Sequence, residues 1–140
     1  MNSIWKRKFD VKSINSNMQN TLMSHIGIKI IEIGNDYIKG VMPVNNNTKQ
    51  PFGILHGGAS VALAETLGSI AANLCIDENS NAVGLEINAN HIRAVKKGLV
   101  EGIAKKIHIG RTTQVWQINI IHEKKITCSS RLTMAIIGRK

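Results

Sequence analysis

The sequence predicts an α+β fold in which a strongly curved antiparallel sheet wraps around one long central helix, in the order β-β-α-β-β-β-β. Three observations carry this. Gly57 to Cys75 is rich in Ala and Leu, lacks strand alternation and reads as a helix apolar on most sides. Six other runs, bounded by glycines or polar turns, read as strands. One helix cannot cover both faces of a sheet this wide, so the sheet must curl around it.

The elements follow in order along 140 residues, a length that suits one domain spanning 1–140. Ser13 to His25 is mostly polar, with Met18, Leu22 and Met23 at helical spacing, and Gly27 follows as a stop. IKIIEIGNDYIKGVMPV contains two strand-like runs around Gly34-Asn35-Asp36 and reads as a hairpin. Asn45 to Gly53 is a polar loop. Beyond the helix, Val83 to Val95 alternates, which puts Val83, Leu85, Ile87 and Ala89 on one face. Leu99 to Ile109, Thr112 to His122 and Ile126 to Ile137 complete the strands, separated by Gly110 and by Glu123-Lys124-Lys125.

A formal charge of +9 raises the question of nucleic acid. Its distribution argues against that, because Lys and Arg are scattered in short clusters such as Lys6-Arg7-Lys8 and Lys96-Lys97. A solvated basic surface is the ordinary reading, and one that attracts a phosphate-bearing ligand is the next. Cys75 and Cys128 lack metal-ligand spacing, and with no signal-like apolar run after the first residues they read as reduced thiols of a cytoplasmic protein. The low-charge run Phe52 to Ile76 holds His56 and Glu65, which disfavours a membrane span.

Glu65 is the one carboxylate in QPFGILHGGASVALAETLGSIAA. Burying it is costly unless it is paired or used. Gly57 and Gly58 stand at the predicted helix start, where N–H groups lack intrahelical partners and can bind an anion or a developing oxyanion. The glycines would also suit tight helix–sheet packing. Eight residues separate Gly57 from Glu65, roughly 12 Å along a helix axis. One carbonyl cannot touch both groups of the same helix, so a joint action requires a second subunit and predicts a dimer with two shared sites. Ser69, one turn beyond Glu65, could orient the carboxylate or its water. The plain alternative for Glu65 is a structural ion pair with His56, Arg93 or Arg131. No G-x-S-x-G elbow, H-E-x-x-H or P-loop is present.

The same stretch, with GLEINANHIRAV, HIGRTTQVWQI and CSSRLTMAII following in order, resembles the hotdog-fold acyl-CoA thioesterases of the phenylacetate and 4-hydroxybenzoyl-CoA type. With IWKRK and MPVNNNTKQPFG the resemblance covers nearly the whole chain. It is closest to the branch containing 1,4-dihydroxy-2-naphthoyl-CoA thioesterase of menaquinone synthesis and the proofreading thioesterase of enterobactin synthesis. The resemblance implies that Glu65 is the catalytic carboxylate, as nucleophile or general base, and that Gly57 N–H is the oxyanion donor. It places Gln50 and His56 around the thioester and Ser69 beside the water. It implies that Gly84, His91 and Arg93 line the CoA channel. His108, Gly110, Arg111, Thr112, Ser130 and Arg131 match positions near the pantetheine arm and nucleotide phosphates. Lys106 departs from the pattern, since members often carry proline there, which bears on the His108 to Thr112 segment.

The implied activity is hydrolysis of an acyl-CoA, with an aromatic acyl group, to acid and free thiol. It needs no metal and no cofactor, CoA being part of the substrate. The implied assembly is a homo-oligomer with shared sites, a dimer of dimers, without nucleic acid or membrane partners. A non-catalytic acyl-CoA-binding hotdog protein and a hotdog enoyl hydratase or dehydratase are the alternatives.

Overall fold

The structure, a computed structural model, describes residues 2–138. Two short helices open the chain, α1 (Val11–Asn17) and α2 (Leu22–His25). Asp10 caps α1 by accepting the Ser13 N–H at 3.0 Å and the Ser13 hydroxyl at 2.8 Å, and these bonds hold its carboxyl below the ordinary range. The helical spacing from Ser13 to His25 is therefore broken in two. Asn20 adopts φ 60, which interrupts the helix, and Thr21 restarts it as a cap.

The strands are β1 (Lys29–Ile33), β2 (Tyr37–Val44), β3 (Ser80–His91), β4 (Gly98–Ile109), β5 (Thr113–His122) and β6 (Lys125–Gly138), with α3 (Gly57–Leu74) between β2 and β3. They form one antiparallel sheet in the order β1-β2-β4-β5-β6-β3, packed against α3. Burial alternates along β2 and β5, as expected of a sheet with one face on a core. That face presents Ile38, Met42, Trp116, Ile118 and Leu132 to Leu63, Leu67 and Ala71 of α3. The predicted α+β order and the curled antiparallel architecture are both observed.

β3 departs from simple alternation. Its pairing with β6 shifts between Gly84 and Glu86. A bulge adds one residue and reverses the faces beyond it. Gly84 lies opposite buried Met134, whereas Ile87 and Ala89 lie opposite buried Leu132 and Ser130. Val83 and Leu85 are exposed. The expectation that Val83, Leu85, Ile87 and Ala89 share a face is thus corrected. The strand also ends at His91 rather than Val95, whose carbonyl instead accepts the Leu55 N–H at 2.7 Å.

The N-terminal segment closes the far end of α3. Carbonyls in the last turn of a helix have no intrahelical donors. Here Leu74 O accepts Lys6 N–H and Arg7 N–H, at 2.8 and 3.1 Å. The Arg7 guanidinium donates to Ile76 O at 3.1 Å and to Asp77 O and Ser80 O at 2.6 Å each. Trp5 stacks on Trp116 with ring centroids 6.3 Å apart. Arg7 is therefore a clamp between α3 and β3, not part of a solvated basic cluster. Arg7→Ala should cost about 2 kcal/mol and lower the melting temperature by roughly 5–10 °C. Thermal unfolding of the two proteins checks this.

Candidate active site

His56 occupies the N-cap of α3, with its backbone extended at φ −67 and ψ 131. Its Nδ1 accepts the Gly58 N–H at 2.7 Å, and its carbonyl accepts Ala59 N–H and Ser60 N–H. The cap thus serves every early donor except one. Gly57 N–H has no partner among the described residues. It belongs to a helix start carrying partial positive charge, where such a donor can stabilise negative charge on an oxygen.

This donor lines a cavity of about 340 Å³ with Gln50, Ser60, His91 and Arg93. Gln50 reaches it from a turn in which its side-chain oxygen accepts the Phe52 N–H and its backbone N–H donates to Ile54 O. The His91 ring crosses the helix start, with Nε2 2.9 Å from the place a Gly57 Cβ would take. Glycine is required there for that approach. Arg93 donates Nη1–H to Ile126 O at 2.7 Å, which holds it at the cavity edge.

Glu65 lines a second cavity, of about 440 Å³, with Leu22, Met23, Val61, Ser69 and Ile70. It is half-buried and, among the described residues, makes no ion pair. The alternative partners are engaged or placed elsewhere. His56 caps the helix, Arg93 holds a carbonyl, and Arg131 stands opposite Asn88 on the outer face of the sheet. One carboxylate oxygen, Oε1, lies 2.8 Å from the place a Gly84 Cβ would take. Gly84 therefore makes the seat for the carboxylate. Ser69 Oγ reaches Met134 Sδ at 4.0 Å, one turn along.

The sequence-predicted residues thus separate into groups. Gln50, His56, Gly57, His91 and Arg93 gather at the start of α3. Glu65, Ser69 and Gly84 gather around its middle. His108, Gly110, Arg111 and Thr112 form the end of β4 and the turn to β5, and line neither cavity. The pairing of β4 with β5 shifts between Lys106 and His108, and His108 Nε2 packs over Gly110. Ser130 is buried and donates its hydroxyl to Ile118 O at 2.9 Å, while Arg131 is exposed. Sequence reasoning misses Leu22 and Met23 as site residues. Their spacing marks only a helix, and their approach to Glu65 is a tertiary fact.

Neither thiol offers a nucleophile. Cys75 is pushed up to about 12 by burial, and burial raises Cys128 as well. Among the described residues no group of three or more His, Cys, Asp or Glu is placed to hold a metal ion. No described helix is long and apolar enough to cross a membrane.

Comparison with known proteins bears on this geometry. The family model described as Thioesterase superfamily matches residues 52–129, more than half of the chain. The chain is 49% identical to the 1,4-dihydroxy-2-naphthoyl-CoA hydrolase of Escherichia coli (strain K12), over 96% of this chain and 99% of that protein. It is 46% identical to the proofreading thioesterase EntH of Cronobacter turicensis, again over 96% and 99%. The crystal structure of a thioesterase from Haemophilus influenzae aligns with a TM-score of 0.95 at 50% identity, covering 96% of this chain and 95% of that one. A free helix-start donor, a carboxylate without an ion pair and these matches converge, and the chain belongs to the thioesterase superfamily as a hotdog-fold thioesterase.

Proposed function

We propose that the protein hydrolyses an acyl-CoA thioester with an aromatic acyl group, of the 1,4-dihydroxy-2-naphthoyl or benzoyl type, in sites shared between two subunits. The observation that carries this is the separation of the Gly57 N–H and Glu65 into two cavities on one helix. Each is half of a hydrolytic site. An antiparallel pair of α3 helices would set the Gly57 of one subunit beside the Glu65 of the other. The thioester carbonyl oxygen would accept the Gly57 N–H, with Gln50 and His56 beside it. Glu65 would attack the carbonyl carbon, or take a proton from a water that does so, with Ser69 near that water. Collapse of the tetrahedral intermediate expels the CoA thiolate, which takes up the proton released by water. On the water route this leaves the acid, and on the nucleophilic route it leaves an acyl–Glu65 anhydride that water then hydrolyses to the acid and free Glu65.

The apolar lining given by Leu22, Met23, Val61 and Ile70 suits an aryl group. Gly84, His91 and Arg93 would flank the CoA arm, and His108 to Thr112 with Ser130 and Arg131 would meet its outer part. Arginine binds two phosphate oxygens through its planar fork. The reaction calls for no cofactor beyond the CoA of the substrate. The working assembly is a cytoplasmic dimer of dimers.

Release of free thiol from a panel of aromatic and aliphatic acyl-CoA substrates tests the reading, with one acyl-carrier thioester included. Aromatic acyl groups should show kcat/KM at least about tenfold above short aliphatic ones, the lower end of what a single buried methylene discriminates. Binding of acyl-CoA without thiol release would overturn it, as would water addition to an enoyl-CoA with the thioester intact.

A further inference from the structure

We infer that Asn73 is a positioning residue for the Glu65 carboxylate, acting through strand β3; this rests on the proposed role of Glu65. Glu65, Ser69 and Asn73 are spaced four residues apart on α3 and form one stripe. The stripe runs toward β3. Glu65 Oε1 abuts Gly84, Ser69 Oγ meets Met134 across from Gly84, and Asn73 meets Ala82.

The Asn73 amide grips Ala82 on both sides. Its Oδ1 accepts the Ala82 N–H at 3.0 Å, and its Nδ2 donates to Ala82 O at 3.0 Å and to Ser69 O at 2.9 Å. It thus pairs with the backbone of β3 as a neighbouring strand would. Among the described residues of one subunit β3 pairs with β6 alone, so at Ala82 this amide bonds the edge that faces away from β6.

The grip acts close to the carboxylate's seat. Gly84 stands two residues beyond Ala82, and directly after Gly84 the register with β6 shifts. A bulge loosens the fixed relation between strand and neighbour. Pairing with β6 alone therefore does not set how closely Gly84 approaches α3. The Asn73 clamp sets it, on the side of the bulge that carries the seat. Moving β3 away would leave the carboxylate without its backstop, and its oxygens would no longer point along one line. A geometric error near 1 Å at a reacting group costs up to about a hundredfold in rate.

Asn73→Leu keeps the approximate shape and removes all three bonds; Asn73→Asp keeps only the acceptor for Ala82 N–H. In folded Asn73→Leu, kcat should fall at least about tenfold with KM within about twofold, and in Asn73→Asp it should fall less. Gly84→Ala places a Cβ against the same carboxylate oxygen, so its effect on kcat should combine less than multiplicatively with Asn73→Leu. A parental kcat in folded Asn73→Leu, with only a lower melting temperature, would overturn the inference, and so would strictly multiplicative effects. Should Asn73→Leu not fold, Asn73→Asp alone and with Gly84→Ala decides the same question. Glu65→Ala measured beside them separates the two levels. Its inactivity with a parental Asn73→Leu refutes only the positioning role, while its retained activity refutes the proposed chemistry itself.

Discussion

Glu65→Ala should reduce kcat for thioester hydrolysis by about 10²–10⁴-fold, the range for removing a placed general base. A thousandfold corresponds to about 4 kcal/mol in the barrier. Glu65→Gln should fall as far, because an amide neither takes the proton nor forms the anhydride. Stability should move the other way. The carboxylate is half-buried among Val61, Ser69 and Ile70 and has no ion pair among the described residues to lose. Its removal relieves desolvation, so the melting temperature should hold or rise by a degree or two. This opposition of effects marks a group retained for chemistry at a cost in stability. Stopped-assay thiol release and thermal unfolding of both variants decide it. Turnover within tenfold of the parent would sink the role.

Much of this arrangement is legible in the chain, and the failures have identifiable causes. The bounds of α3 follow from composition and from the glycines at its start, and the succession of strands along the chain follows from turn residues and period-two hydrophobicity. Alternation is a local signal, so it misreads β3, where one extra residue after Gly84 reverses every later side chain. Helical spacing across Met18 and Leu22 hides the break at Asn20, since spacing says nothing of φ. In sequence Arg7 resembles any other surface cation. What distinguishes it is a set of carbonyls about seventy residues away, and no local pattern reports that distance. Asn73 is visible as a polar residue in an Ala-rich helix, and its spacing of eight from Glu65 is a usable signal. Leu22 and Met23 offer no comparable signal, because their place beside Glu65 depends on how α2 packs on α3.

The second large effect concerns Gly57 and the sharing of sites. Gly57→Pro should remove the free N–H while leaving the helix start intact. Proline is favoured at the first helical position, where its fixed φ fits and its missing N–H breaks no intrahelical bond. The residue before a proline must be extended, and His56 already is, at φ −67 and ψ 131. The atoms nearest the new Cβ belong to the His91 ring, on an exposed side chain that can turn aside. Gly57→Ala adds the same Cβ and keeps the N–H, so it separates crowding from loss of the donor. Expected kcat losses are about 10²–10³-fold for proline, the scale of one oxyanion donor, and much less for alanine. Equal losses in the two variants would refute the oxyanion role.

Mixing then tests assembly. If Gly57 of one subunit serves Glu65 of another, a dimer of one Gly57→Pro and one Glu65→Ala chain contains one intact site and one doubly damaged site. Random pairing after co-refolding makes half of the dimers mixed, so about one quarter of parental activity should return from two inactive proteins. If each chain completed its own site, every site in the mixture would carry one lesion and no activity would return. The eight residues between Gly57 and Glu65, roughly 12 Å on a single rigid helix, require the first outcome for any substrate whose carbonyl touches both.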